Sequence, residues 1–150
     1  MRNSGERVDF GHPANAAILA CLERLERLPS YVRSAPRGAV DPWELGAHPD
    51  LVEILWDQVD EHLPKRCAWI VHGRAALVRP KLGLVFGFVT GTLPIVLRVP
   101  AARHAGLGVD ERSRLRVSSP GFATCEEDWI CAPFERAREL GLAAFDGELG

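Results

Sequence analysis

Residues 112–129 contain the two groups of side chains best suited to binding a charged partner. Three consecutive carboxylates precede a tryptophan in EEDW, and such a loop suits a basic protein surface. Alternate residues of RSRLRVS are arginines, so a strand there places them on one face. The partner-binding residues that we predict are Arg112, Arg114, Arg116, Glu126, Glu127, Asp128 and Trp129.

Both groups have a plainer interpretation as solvated surface, because exposed arginines also protect a strand from pairing with other sheets. The arginine row suits the phosphates of a nucleic acid as well as an acidic protein. However, no aromatic residue that would stack on bases stands beside it, so nucleic acid is not expected as a partner.

His72 is the best candidate for a lone general base, because it stands just before Gly73 at the end of a predicted strand. A structural histidine is the alternative. A zinc site needs three or four suitable side chains to converge, and the cysteines lack the CxxC spacing of such sites. The set that would have to converge is Cys67, His72, His104, Cys125 and Cys131. We therefore predict no metal site and assign no catalytic residue.

The most apolar stretch, KLGLVFGFVTGTLPIVLR (81–98), predicts a β-hairpin. Its sixteen uncharged residues would rise only about 24 Å as a helix, which is short of a hydrocarbon core of about 30 Å. Its β-branched residues, glycines and Pro94 also disfavour a helix. Residues 90–92 supply the turn between the two strands.

Strand alternation divides the first half of this hairpin into a large apolar face and a shallow face. The large face is expected to carry Leu82, Leu84, Phe86 and Phe88. Gly83 and Gly87 make the other face shallow, so that a ligand or a helix can approach the backbone closely there. We predict Gly83, Gly87 and His72 as ligand-binding residues, with a covering helix of the same domain as the alternative.

The hairpin extends upstream into a four-stranded antiparallel meander over residues 67–99, because its short turns leave no room for parallel crossovers. One or two further strands are expected at 112–118 and 128–134. Amphipathic or capped segments predict helices, which we expect mainly on one face of the sheet. One of them starts at Asp41, and the others span 15–28, 49–63, 100–108 and 133–141. Gly141 is the expected stop of the last one.

The pattern therefore predicts a single α+β domain over residues 1–150, with a linker at 29–40 between helices. Residues 1–12 and 146–150 are expected to be frayed. A composition of 47% hydrophobic and 25% charged residues is that of an ordinary globular protein, and the formal net charge is −2. The N-terminal residues do not form a secretory signal, so we expect a cytoplasmic protein with no membrane partner.

Two stretches of the sequence resemble a known group of proteins. AALVRPKLGLVFGFVTGTLPIVLRVP followed by DWICAPFERARELG resembles the small YjbR-like and TfoX N-terminal-like bacterial domains in its order of strands and helices. The resemblance covers about residues 50–141. It implies an α+β fold and transfers no functional residue. HPDLVEILWDQVDEHLP followed by ALVRPKLGLVFGFVTGT is also similar to small uncharacterised bacterial proteins.

The lack of a catalytic motif, beside separate acidic and arginine-rich stretches, favours a non-enzymatic protein-binding module. An inhibitor or an immunity protein that neutralises a partner enzyme is one such module. Two alternatives stay open, namely a small-ligand or metal-binding domain and a small enzyme that uses His72 or a cysteine. We expect a protein partner and no cofactor, and a homodimer by edge-strand pairing is a further prediction.

Overall fold

The computed structural model describes residues 7–24, 32–89, 95–109 and 128–147. Its α-helices are α1 (Ala16–Arg24), α2 (Pro49–Glu53) and α3 (Ala137–Gly147). Its strands are β1 (Ser34–Pro36), β2 (Ala68–Val71), β3 (Arg74–Val78), β4 (Val85–Phe88), β5 (Ile95–Arg98) and β6 (Trp129–Ala132).

Helix α2 continues directly into a π-helix over Ile54–Val59 and ends in a 3₁₀ turn over Asp60–His62. His48 caps α2, and its Nδ1 accepts a hydrogen bond from the backbone N–H of Asp50 at 3.1 Å. Further 3₁₀ turns span Pro13–Asn15, Pro42–Glu44, Ala101–Arg103, Ala105–Leu107 and Phe134–Arg136.

The six strands form one antiparallel sheet in the order β1-β2-β3-β4-β5-β6. The predicted meander is therefore confirmed, and β6 pairs with β5 as one of the further strands. Strand β1 was not predicted, because it lies within the stretch interpreted as a linker. It pairs with β2 through the register Ala35 to Ile70.

A β-bulge at Phe86 overturns the expected alternation along β4. Leu77 pairs with Gly87 while Val78 pairs with Val85, so Phe86 is the extra residue. Phe86 consequently belongs to the hydrophobic cluster on one face of the sheet, whereas Phe88 belongs to the cluster on the other. The prediction that these two side chains share a face was wrong for this reason.

Helices cover both faces of the sheet. The first face packs against α2, the π-helix and α3, with Leu55, Val59 and Leu140 among the buried side chains. The second face packs against α1 through Ile18 and Leu22. Two of the three helices thus lie on one face, as the sequence indicated.

Residues 7–12 belong to the packed structure, although the sequence predicted fraying there. Val8 is fully buried in the second cluster. The backbone N–H of Asp9 donates to the carbonyl oxygen of Gly83 at 3.0 Å. Asn15 reinforces this contact, because its Nδ2 donates to the same oxygen at 2.8 Å and its Oδ1 accepts from the N–H of Val85.

Helix α3 does not stop at Gly141, and this corrects the prediction. The helix runs on to Gly147, and Gly141 is buried in its interior. A Cβ at this position would lie 2.4 Å from Cγ1 of Val59 in the π-helix. Gly141 therefore allows a close approach of two helices and does not terminate one.

The predicted strand at 112–118 and the turn at 90–92 lie outside the described residues. The predicted short helix at 100–108 is present as two 3₁₀ turns, and Gly108 closes it in the left-handed conformation with φ of 67°.

Of the helices within the described ranges, none has the length and apolar character needed to cross a bilayer.

Candidate functional site

Five of the predicted partner-binding residues, Arg112, Arg114, Arg116, Glu126 and Glu127, lie outside the described residues. Asp128 caps the turn that begins at Ala101, because its carboxylate accepts the backbone N–H of that residue at 3.1 Å. Trp129 is only 2% exposed and packs against Phe88 with 5.6 Å between ring centroids. Its place in β6 makes Trp129 a core residue and removes it from the binding surface that we predicted.

The predicted ligand-binding residues lie in separate turns and strands, where each has a structural role. His72 is 5% exposed, adopts φ of 49° in the β2–β3 turn and meets the ring of Phe10 edge-on. Gly83 adopts φ of 71°. A Cβ at Gly87 would lie 3.0 Å from Leu97 Cδ2 and 3.1 Å from Leu77 Cδ1. The chain's own leucines thus fill the space beside Gly87.

The described cysteines and histidines do not form a metal-binding group, and burial disfavours the thiolate of two of the cysteines. Burial, together with the charge of Asp60, raises the pKa of the Cys67 thiol to about 12, which disfavours the thiolate at neutral pH. Burial also raises the pKa of the Cys131 thiol. Within the part of the chain that is described, no three His, Cys, Asp or Glu side chains come together to hold a metal. Cys125 lies outside that part.

A cleft that sequence analysis missed opens between the loop 37–43 and the helix 49–57. We call it the Trp43 cleft, and its volume is about 440 Å³. Trp43 is 78% exposed at its edge, which is exceptional for so large an apolar side chain. Asp41, Glu53 and Asp57 add carboxylates to its walls.

The loop side of the Trp43 cleft is a pre-formed turn. The carboxylate of Asp41 accepts the backbone N–H of Trp43 at 2.9 Å, and its carbonyl oxygen accepts from Glu44 at 2.8 Å. Pro42 occupies the first position of this 3₁₀ turn, where its missing N–H costs no hydrogen bond. Trp43 is therefore presented to solvent on a constrained backbone.

The indole of Trp56 forms the floor of the Trp43 cleft, and a hydrogen bond to the sheet holds this ring in place. Trp56 Nε1 donates to the carbonyl oxygen of Ala76 in β3 at 3.0 Å. Above the ring lies the guanidinium of Arg37, with Cζ 5.3 Å from the ring centroid. Arg37 also pairs with Asp57 and lies 3.5 Å from Glu61. The site thus already holds one guanidinium between an aromatic face and carboxylates.

Trp56 and Asp57 belong to the π-helix over Ile54–Val59. Such segments widen the helix locally and are frequent at functional sites. Here the π-helix supplies both the aromatic floor and one acidic wall of the cleft.

The sequence did carry a signal for this site. Residues 38–64 contain seven of the 20 carboxylates of the chain and none of its 18 lysines and arginines. The segment from Asp41, DPWE, was interpreted only as the start of a helix. Asp41 and Pro42 do begin a helical turn, but it is a 3₁₀ turn of three residues. The combination of an acidic segment that contains no lysine or arginine with a tryptophan beside a proline indicates the cleft.

Comparisons with known proteins identify no relative of this chain. No protein-family model matches the chain. No curated protein and no solved structure matches it either. The resemblance to YjbR-like and TfoX N-terminal-like domains therefore stays a prediction.

Proposed function

We propose that this protein is a non-enzymatic binding module that receives a basic segment of a partner protein in the Trp43 cleft. The observation that carries this proposal is the exposure of Trp43 among carboxylates on a segment without a lysine or arginine. A tryptophan on a constrained turn is the kind of residue that dominates binding energy at protein interfaces.

The contacts of Arg37 indicate which partner side chain suits the cleft. A cation over the face of a tryptophan is attracted by the ring and is stabilised further by nearby carboxylates. Arg37 makes both contacts within the chain, on Trp56 and on Asp57. A partner arginine or lysine would find the same chemistry between Trp43, Asp41 and Glu53.

The charge of the surface supports a protein partner with a basic surface. Exposed carboxylates on residues 38–64 raise the rate of encounter with a positively charged surface and disfavour acidic proteins. An inhibitor or immunity-type protein is one form of this proposal, in which the acidic segment covers a basic site of an enzyme.

A site-specific cross-link tests the proposal. A photo-crosslinking amino acid replaces Glu53, on the wall of the Trp43 cleft, and the protein is irradiated in a lysate of its own cells. We expect a cross-link to one basic protein, and we expect Trp43→Ala to weaken that interaction about 30-fold or more. Since Trp43 is largely exposed, this variant should fold normally.

The matched control places the same cross-linker at Glu23, an exposed glutamate on α1 at the opposite face of the sheet. It should not capture the same protein. Equal capture from both positions, capture that survives Trp43→Ala, or no capture from position 53 would each refute the proposal.

A further inference from the structure

A second concavity, with the opposite charge, lies beside the turn between β3 and β4. We call it the basic pocket, and its volume is about 280 Å³. It is lined by Lys65, Arg79, Pro80, Lys81, Leu82 and Phe145. Three of these six residues carry a positive charge and none carries a negative one.

The turn that forms the basic pocket is well fixed. The backbone N–H of Arg79 donates to the carbonyl oxygen of Leu84, and the N–H of Gly83 donates back to Arg79 at 2.9 Å. Lys81 adopts φ of 70°, a conformation that few residues other than glycine adopt. A strained residue held by its surroundings is frequent where a ligand is bound.

Arg79 is the unusual member of this pocket, because its charge is buried. The residue is 8% exposed, and its guanidinium lies over the ring of Phe145 with 4.1 Å between Cζ and the centroid. One of its nitrogens donates to the carbonyl oxygen of Phe145. No carboxylate of the described residues lies within ion-pair distance of it.

Among the described residues Arg79 thus has no counter-ion, and a buried charge is normally paired because an unpaired one is costly. A guanidinium has five N–H donors, and the carbonyl oxygen of Phe145 uses a donor on one nitrogen. Arg79 lines a cavity whose other lining residues include the cations Lys65 and Lys81. This arrangement suits an oxyanion, which accepts paired hydrogen bonds from a guanidinium.

We propose that the basic pocket binds a small organic anion, with its carboxylate or phosphate group on Arg79, Lys65 and Lys81. The apolar part of the ligand would lie against Leu82, which is 40% exposed, and Pro80. This site is separate from the Trp43 cleft in both its residues and its charge, and it does not depend on the function proposed above.

Titration with three small probes followed by NMR tests this assignment. The probes are benzoate, phenyl phosphate and benzamide, where benzamide has the shape of benzoate without its charge. We expect the two anions to shift the backbone amide signals of Lys81 and Leu82 in a saturable way, and we expect benzamide to leave them unchanged. The tighter of the two anions identifies the oxyanion that the pocket prefers.

Variants at the rim keep the test independent of folding. Lys65→Ala combined with Lys81→Asn should weaken anion binding about tenfold or more, and asparagine tolerates the positive φ at residue 81. At the buried position, Arg79→Lys should also weaken binding about tenfold, because lysine keeps the charge but lacks the paired donors. Arg138→Ala, which removes an exposed charge at the start of α3, should bind as the unaltered protein does.

Three results would overturn the assignment. The first is the absence of any saturable shift with either anion. The second is an equal response to benzamide. The third is undiminished binding in the variant with both lysines replaced.

Discussion

The Trp43 cleft and the basic pocket are built from neighbouring parts of the chain but have opposite charge. The acidic segment 38–64 supplies most of the cleft, and the basic pocket begins at Lys65, the next residue. A formal net charge of −2 hides this separation. Local charge distribution, rather than the total, therefore indicates which partners the surface can accept.

The two regions also differ in how their charges are held. The carboxylates of the cleft are exposed, and Arg37, which neutralises some of them, is about one-third exposed with an aromatic and two acidic neighbours. In the basic pocket Arg79 is buried against Phe145. An exposed, aromatic surface suits a protein segment, whereas a buried guanidinium in a small cavity suits a small anion.

Gly141 lies in the helix that contacts both regions, and its replacement should have the largest effect on the stability of the fold. Through Gly141, α3 packs on the π-helix that forms the floor of the cleft, and Phe145 of the basic pocket follows one turn later on the same helix. Because a Cβ there would approach Val59 to 2.4 Å, we expect Gly141→Val to lower the free energy of unfolding by about 3 kcal/mol. Urea denaturation measures this change.

Gly106→Val is the matched control, because a Cβ at Gly106 meets nothing within 4 Å. We expect this variant to change stability by less than about 0.5 kcal/mol. Equal stability of the two variants would show that the close contact between the helices is not needed.

A smaller effect on stability is expected from the titration of Asp60, which links the acidic segment to the start of β2. Its carboxylate accepts the backbone N–H of Cys67. Burial raises the pKa of Asp60, and the hydrogen bond from Cys67 and the charge of Arg66 only partly oppose this. At a pH between the unfolded and the folded pKa of Asp60, the folded protein therefore holds a proton that the unfolded chain has already released.

Stability should consequently fall as the pH rises from about 4, where an unfolded carboxylate titrates, through the raised pKa of Asp60. Asp60→Asn removes this titration and keeps an oxygen that accepts from Cys67. We expect the variant to lose less stability than the unaltered protein over that range, as measured by urea denaturation at several pH values. Parallel pH profiles of the two proteins would contradict this account.

The sequence predicted the meander well, because alternation and turn residues such as Gly73 are local signals. It missed β1, a strand of three residues whose composition is that of a loop and whose pairing with β2 is a tertiary contact. The bulge at Phe86 depends on the register of the neighbouring strand β3. The role of Gly141 depends on Val59, which is distant in sequence.

The candidate sites were less predictable than the fold. The acidic segment and Trp43 are visible in the sequence, but the contact of Arg37 with Trp56 joins two segments that only the fold brings together. The burial of Arg79 likewise depends on α3, which follows it by more than 50 residues. Trp129 was predicted as a surface residue because its neighbours are acidic, whereas β6 directs it into the core.

The indole N–H signals of the four tryptophans test most directly the claim that the Trp43 cleft selects positive charge. Acetyl-Arg-Pro-Arg-amide is titrated into the protein, and the same peptide with citrulline in place of arginine serves as the uncharged control. We predict a saturable shift of the Trp43 signal with the arginine peptide only, weakened in the variant with Glu53→Gln and Asp57→Asn. An unchanged Trp43 signal, or an equal response to the citrulline peptide, would contradict the claim.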